Sequence, residues 1–281
     1  MYFSKSSADV YVPDGSPNES AFKRTTHLSV AAHPDDNEML AYDGILQCFN
    51  STDLWFSSVT VTNGNTAPRD FEYANYNNEQ MRTTRLWEQK KAAMVGNYSA
   101  AIQLDYTSPE VRDQNSSVVA DLEKLFQLMQ PKVVYTHNLA DKHDTHIAVT
   151  LRLIKALRSI PSEKQPEKLY GCEIWRDLDW LVDEDKVAFD VSGHPNIATA
   201  LIALYDTQIL GSKRYDIAVP GRRSAQAIYH ESHGTGGASQ MIFAMDLTPL
   251  IRNPDLDPVE YTIAFINHFK QDVSDRINRF L

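Results

Sequence analysis

The chain has 281 residues, of which 42% are hydrophobic and 23% are charged, and its formal net charge at pH 7 is -10. This composition is typical of a water-soluble globular protein, and the acidic balance gives no long-range attraction to phosphate backbones or anionic lipids. We therefore expect no nucleic-acid partner. The only cysteines, Cys48 and Cys172, can form neither a disulfide framework nor a cysteine-rich metal cluster.

The amino-terminal residues 1–25 are polar and contain Pro13, Gly15 and Pro17, which predicts an irregular arm. They include no apolar run of signal-peptide length, and no window of the chain approaches the ~20 apolar residues of a membrane span. We therefore expect a cytoplasmic protein with no membrane insertion. Because nothing in the composition indicates a domain boundary, residues 26–281 are predicted to form a single domain.

Apolar runs and helical patterns alternate along the rest of the chain. Strands are predicted at residues 27–33, 53–64, 100–106, 132–138, 168–175 and 239–247. Helices are predicted at residues 36–49, 79–96, 116–130, 147–159, 196–210 and 259–281. The polar and aromatic stretch 65–78 is predicted to be a long loop, of the kind that often forms a lid. The alternation indicates an α/β fold, a three-layer sandwich with a mainly parallel central sheet.

Two histidine-rich segments begin where predicted strands end. The first is Ala32-His33-Pro34-Asp35-Asp36, in which His33 and Asp36 can reach one metal ion from a tight turn. The second runs from Asp141 to His146, and at the start of a helix its His143 and His146 share one face. Ligands of open α/β sheets bind beyond the carboxyl ends of the strands, so we expect the two segments to meet there.

Two histidines and one carboxylate leave a coordination position open for water, which is the arrangement that catalytic zinc requires. A second carboxylate can then act as general base, and a neighbouring imidazolium can stabilise an oxyanion. The alternative is that Asp35 and Asp36 only cap a helix and that His143 and His146 are solvated. Two compact segments at two strand exits favour the catalytic interpretation.

These motifs resemble the LmbE-like family of deacetylases, which includes the PIG-L enzymes. The resemblance rests on AHPDD after the first strand and on the later D-x-H-x-x-H. The stretch from Arg85 to Gly96 is similar to the family's R-x-x-E-x-x-x-A-x-x-x-G helix, and Tyr205-Asp-Thr-Gln208 falls where the family often has His-x-Ser-Gln. The chain departs from the pattern at Asn37 and Thr145, and in the reduced glycine content after the first motif.

The resemblance implies a role for each matching residue. It implies that His33, Asp36 and His146 hold Zn²⁺, although Fe²⁺ accepts the same ligands. It implies that Asp35 is the general base and that protonated His143 stabilises the oxyanion or protonates the leaving amine. The implied fold is a Rossmann-like sandwich. The implied activity is removal of an acetyl or related acyl group from an N-acetylglucosamine-type sugar or glycoconjugate.

Other residues and interpretations stay open at this point. Arg69 and Arg85 are candidates for substrate binding, although exposed charge and a structural pair of Arg85 with Glu88 are competing interpretations. His137 is expected to support the site rather than bind metal. Trp175 could stack on a sugar, with core packing favoured. The alternative functions are an amidase acting on a thiol conjugate or a non-sugar acyl amine, and a non-enzymatic ligand-binding domain. A homo-oligomer is compatible with the sequence, and residues 228–238 show no recognisable signature.

Overall fold

The computed structural model describes residues 3–230 and 237–281, and its centre is one eight-stranded sheet. The strands are β1 (Asp9–Tyr11), β2 (His27–Ala31), β3 (Phe56–Thr62), β4 (Ala100–Tyr106), β5 (Val133–His137), β6 (Lys168–Cys172), β7 (Val187–Asp190) and β8 (Met241–Asp246). Their order across the sheet is β1-β4-β3-β2-β5-β6-β8-β7. The sequence-based positions of six of these strands are therefore confirmed.

Helices connect most of the strands. They are α1 (Asn18–Arg24), α2 (Asp36–Leu40), α3 (Tyr42–Cys48), α4 (Asn78–Val95), α5 (Ser108–Arg112), α6 (Val118–Met129), α7 (Asp144–Ser159), α8 (Pro195–Ala203), α9 (Asp206–Gln208), α10 (Tyr215–Tyr229), α11 (Thr248–Arg252) and α12 (Pro258–Asn278). A wide turn at Ile209–Lys213 joins α9 to α10. No helix of the described residues is long and apolar enough to cross a membrane.

The sheet is mixed rather than mainly parallel. The five central strands, from β4 through β3, β2 and β5 to β6, are parallel. At one edge β1 pairs antiparallel with β4, and at the other β8 pairs antiparallel with both β6 and β7. The prediction of a mainly parallel sheet is thus right for the centre and wrong for the edges, because it included no strand at β1 or β7 and did not foresee that β8 runs antiparallel to β6.

Two apolar clusters cover the two faces of the sheet. Successive residues of a strand point to opposite faces, and Leu28 and Val30 belong to one cluster while Ala31 belongs to the other. The first cluster includes residues of α1, α6, α7 and α11, and the second includes residues of α2, α3, α4 and α8. Helices therefore pack on both faces, as expected for a three-layer α/β sandwich.

The structure corrects several local predictions. Within the described residues 3–25, the predicted irregular arm contains β1 and α1. The helix predicted over residues 36–49 breaks at Ala41 into α2 and α3. Gly44 lies inside α3, where the position requires glycine because a Cβ atom would come 2.5 Å from the Tyr135 ring.

The helix predicted over residues 196–210 is also interrupted, since α8 ends at Ala203. Within residues 228–238, His230 caps the end of α10, and its ring lies 5.2 Å from that of Phe243. Glu231, His233 and Gly234 of the same segment lie outside the described residues.

Candidate metal centre

The two histidine-rich segments meet at the carboxyl ends of β2 and β5. These strands are neighbours in the sheet, and the chain runs from β2 toward β3 and β4 but from β5 toward β6. The order of strands therefore reverses between them, which is where ligands of open α/β sheets bind. His33 follows β2 by two residues, and His143 is the residue before α7.

His33, Asp36 and His146 form a compact triangle of donor atoms. His33 Nδ1 lies 3.1 Å from Asp36 Oδ2 and 3.2 Å from His146 Nε2, and the third side, from His146 Nε2 to Asp36 Oδ2, is 3.3 Å. Ligands at zinc-like distances of about 2.0–2.2 Å in a tetrahedron are about 3.3–3.6 Å apart. The donor set and its spacing therefore fit a divalent metal ion, with a fourth position left open.

His137 belongs to the same cluster, but its ring is used differently. Its Nε2 accepts a hydrogen bond of 2.9 Å from the backbone N–H of Ala32, and its ring stacks on that of His146 at 3.9 Å. Because the Nε2 lone pair already accepts this hydrogen bond, the proton of the neutral ring lies on Nδ1, and the ring has no free lone pair for a metal. Burial lowers the pKa of His137 well below its usual range, with a contribution from His146. The expectation that His137 supports the site agrees with this geometry.

The electrostatics of the triangle favour a positive charge. Burial opposes protonation of His146, but the carboxylates of Asp36 and Asp141 together raise the pKa of His146 to about 9. Asp141 Oδ1 lies 3.5 Å from His146 Nδ1, an ionic contact rather than a full hydrogen bond. Asp141 also accepts hydrogen bonds from the backbone N–H groups of His143 and Trp175. A carboxylate behind a ligating histidine fixes the orientation of its ring.

The surroundings of His143 favour the neutral ring in the free protein. Burial, together with the neighbouring His146 and His33, lowers the pKa of His143 to about 4. Its Nδ1 accepts a hydrogen bond of 3.3 Å from the backbone N–H of Thr145, so the proton of the neutral ring lies on Nε2. His143 therefore offers an N–H donor, rather than a positive charge, at the wall of the site.

Asp35 lies beside the triangle in a strained backbone conformation. Its φ of 102° is in a region that residues other than glycine rarely adopt, and such strain is often found at functional sites. The side chain is buried, and Arg85 Nη2 lies 3.5 Å from its Oδ2. Burial raises the pKa of the Asp35 carboxyl well above its usual value, although the Arg85 guanidinium acts in the opposite direction.

Arg85 holds the polypeptide around Asp35. Its guanidinium donates hydrogen bonds to the carbonyl oxygens of Pro34 and Gly64. Its expected partner, Glu88, instead accepts hydrogen bonds from the backbone N–H and the hydroxyl of Thr207, at 2.8 and 2.6 Å. Arg85 and Glu88 thus tie α4 to two different segments around the site, rather than to each other.

A cavity of about 510 Å³ opens over the triangle. Arg85 is among the residues that line it, whereas Arg69 is not, since its Nη2 donates to Asn65 O and to Asn78 Oδ1 within the 65–78 loop. Trp175 is 37% exposed and also lines the cavity, so it is not the core residue that the sequence favoured. Further lining residues that the sequence analysis did not select are Thr66, Ser108, Arg112, Lys142, Lys213 and Tyr215.

Comparison with known proteins agrees with these motifs. Residues 28–157 match the sequence model of the PIG-L family, described as GlcNAc-PI de-N-acetylase. The matched segment is just under half of the chain and contains both histidine-rich segments, so the chain resembles the PIG-L (LmbE-like) family there. Over 155 residues it is 26% identical to the "uncharacterized deacetylase YaiS" of Escherichia coli K12, an alignment that spans 53% of this chain and 77% of that protein. The expected family resemblance is confirmed.

Solved structures share the fold of this protein. The N,N'-diacetylchitobiose deacetylase of Pyrococcus horikoshii superposes with a TM-score of 0.63 and 14% identity over 82% of this chain and 86% of that one. GalB of Pseudomonas putida KT2440, a 4-carboxy-2-hydroxymuconate hydratase, superposes with a TM-score of 0.61 and 16% identity over 79% of this chain and 95% of that one. Because one fold supports two reactions, the chemistry has to be argued from the site.

Proposed function

We propose that this protein is a metal-dependent N-deacetylase, which hydrolyses the amide of an N-acetylglucosamine-type amino sugar or glycoconjugate. The observation that carries the proposal is the triangle of His33, Asp36 and His146, with the Asp35 carboxylate next to it. The match of residues 28–157 to a family model described as a de-N-acetylase supports the same reaction. The hydrolase needs a metal position, a base and an oxyanion donor, and the site has a candidate for each.

The ligands in this proposal are His33, Asp36 and His146, with Zn²⁺ as the metal. Two nitrogen donors and one carboxylate oxygen are a common set for catalytic zinc, and iron accepts the same set. When bound, the metal ion polarises the acyl carbonyl and makes water a stronger nucleophile at neutral pH. Asp141 keeps the His146 ring oriented, in line with its contact to Nδ1.

Asp35 and His143 supply the proton transfers and the oxyanion contact. Asp35 accepts a proton from the attacking water as the oxygen bonds to the acyl carbon. The Nε2–H of neutral His143 donates a hydrogen bond to the oxyanion that forms. Asp35 then returns its proton to the amine nitrogen as the C–N bond breaks, leaving a carboxylic acid and a free amine. The raised proton affinity of buried Asp35 suits a group that accepts and releases a proton in one cycle.

The first experiment measures metal content and deacetylation together. Protein purified without chelator should carry about one zinc or iron ion per chain, and His146→Ala should lose it. Asp35→Asn should keep the metal but release acetate about 10²- to 10⁴-fold more slowly, the usual range for loss of a general acid–base group. Full activity of Asp35→Asn would contradict its assignment as the base.

The substrate panel separates this proposal from its alternatives. It should contain acetylated amino sugars, acylated thiol conjugates and simple acyl amines, with free amine as the readout. Turnover limited to the second or third class would favour the amidase alternative. Absence of metal, with no uptake after addition of zinc, would favour a non-enzymatic ligand-binding domain.

A further inference from the structure

The cavity over the metal centre has an excess of positive side chains. It is lined by four basic residues but by only two carboxylates, Asp35 and Asp36. Asp35 faces Arg85, and Asp36 lies among the histidine rings. The three other basic residues are Arg112, Lys142 and Lys213, and none of them has a carboxylate of the described residues within ion-pair distance.

Lys213 is held over the cavity by an aromatic ring instead of an acid. Its Nζ lies 4.5 Å from the centroid of the Trp175 ring, a contact that stabilises the ammonium without neutralising it. The turn that carries Lys213 is fixed against the 65–78 loop, since a Cβ atom on Gly211 would come 3.0 Å from Pro68 O. The charge is therefore placed at the cavity by packing of the backbone.

A neighbouring groove extends the positive surface. It shares Arg112 with the cavity and is also lined by Arg152 and Lys155, against a single acidic residue, Asp144. The protein as a whole has a formal net charge of -10, so the local excess of positive charge is opposite in sign to the net charge. Unpaired charges of one sign beside a cleft attract ligands of the opposite sign.

We propose that Arg112, Lys142 and Lys213 bind an anionic group of the substrate, so that the preferred substrate is an acylated amino sugar bearing a phosphate or a carboxylate. The inference rests on the proposed function for the reacting centre and adds the substrate class. Lysine ammonium groups act as point charges toward either anion, and a guanidinium can bind two of its oxygens at once. Trp175 also lines the same cavity.

The test compares a neutral probe with two anionic ones. N-acetylglucosamine, N-acetylglucosamine 1-phosphate and N-acetylmuramic acid are titrated calorimetrically into zinc-loaded Asp35→Asn protein, so that turnover does not interfere. Their kcat/KM values are then measured with the active enzyme. We expect both measurements to favour at least one anionic probe by about 10-fold or more, and the preference to weaken with added salt. The two anionic probes show which anion the site selects.

Matched variants assign the preference to the lysines. Lys142→Gln and Lys213→Gln should each lower the ratio of anionic to neutral binding about five-fold, and the double variant about 20-fold. Lys132→Gln removes an exposed lysine just before β5, at the opposite end of the sheet, and should leave the ratio unchanged.

Three results would overturn the inference. The first is equal binding of the neutral and anionic probes, or binding of neither anionic probe. The second is an anionic preference that the lysine variants keep, because the anion would then bind the metal. The third is a preference lost equally in Lys132→Gln. Turnover of neutral sugars with no anionic preference would leave the proposed function standing, whereas absence of metal would remove the proposed function itself.

Discussion

Replacing Arg85 by methionine tests whether this side chain stabilises the site through Asp35. Arg85 is 3% exposed, and its guanidinium contacts Asp35 Oδ2 at 3.5 Å as well as two backbone carbonyl oxygens. Methionine keeps much of the apolar volume but removes every donor. Asp35 would then be a buried carboxylate without a counter-charge, and the carbonyls of Pro34 and Gly64 would lose their donors.

The expected cost follows from these contacts. Two unit charges at this separation attract by about 4–5 kcal/mol at an effective dielectric constant of about 20, most of it offset by desolvation in the intact pair. Removing one partner leaves the desolvation without the attraction, so Arg85→Met should lower the free energy of unfolding by about 3–5 kcal/mol. Asp35→Asn in the same background removes the isolated charge. The double variant should therefore be about 1–3 kcal/mol more stable than the sum of the two single effects predicts.

The assay is urea unfolding of metal-free protein at pH 7 for the four members of the double-mutant cycle. Arg82→Met is the control, because Arg82 lies one turn earlier on α4 and pairs with Asp105 and Glu79 nearer the surface. The control should cost about 1 kcal/mol or less. Additivity of Arg85→Met and Asp35→Asn within about 0.5 kcal/mol would refute the coupling.

Three further predictions concern the turn, the metal and acid stability. In urea unfolding, Gly64→Ala should destabilise the protein by about 1 kcal/mol more than Gly15→Ala does. Both glycines have a positive φ, but a Cβ atom on Gly64 would also come 2.9 Å from the Arg85 guanidinium, whereas one on Gly15 would meet nothing within 4 Å. Asp141→Asn should weaken zinc binding about 10- to 100-fold in competition with a chromogenic chelator, and unchanged affinity would show that the 3.5 Å contact with His146 has no such role. Burial lowers the pKa of His27 to about 4, so protonation favours the unfolded chain as the pH falls from about 6.5 toward 4. Between pH 7 and 4.5, His27→Gln should therefore lose about 2 kcal/mol less stability than the wild type. Parallel pH profiles of stability for the two proteins would contradict this.

The parts of the fold that could be predicted are those whose sequence pattern is sufficient by itself. β4 lies where residues 100–106 predict it, because a mostly apolar segment, with Gln103 and Asp105 as its polar members, defines a strand buried on both faces. β7 was missed because its four residues are only partly buried and show no clear pattern. α10 was missed because Pro220 and Gly221 interrupt its helical signal, although the helix continues through them.

The site, like the fold, could be predicted only in part from the sequence. The sequence placed His33, Asp36, His143 and His146 at one edge of the sheet, because strand exits and tight motifs are local features. Local features do not decide the chemistry of each ring. The Ala32 N–H that occupies His137 Nε2, and the Thr145 N–H that fixes the proton of His143, are visible only once the backbone is folded.

Some of the residues that shape the cavity come from outside the segment that matches the family model. The family match covers residues 28–157, whereas Trp175, Lys213 and Tyr215 line the cavity from beyond it. The shared segment contains the proposed ligands, base and oxyanion donor, so the likeness to deacetylases concerns the reacting centre. The walls that contact the rest of a substrate combine residues of the matched segment, such as Arg112 and Lys142, with residues of later turns, such as Lys213. The choice of substrate therefore has to be read from those walls, and their unpaired cations predict an anion.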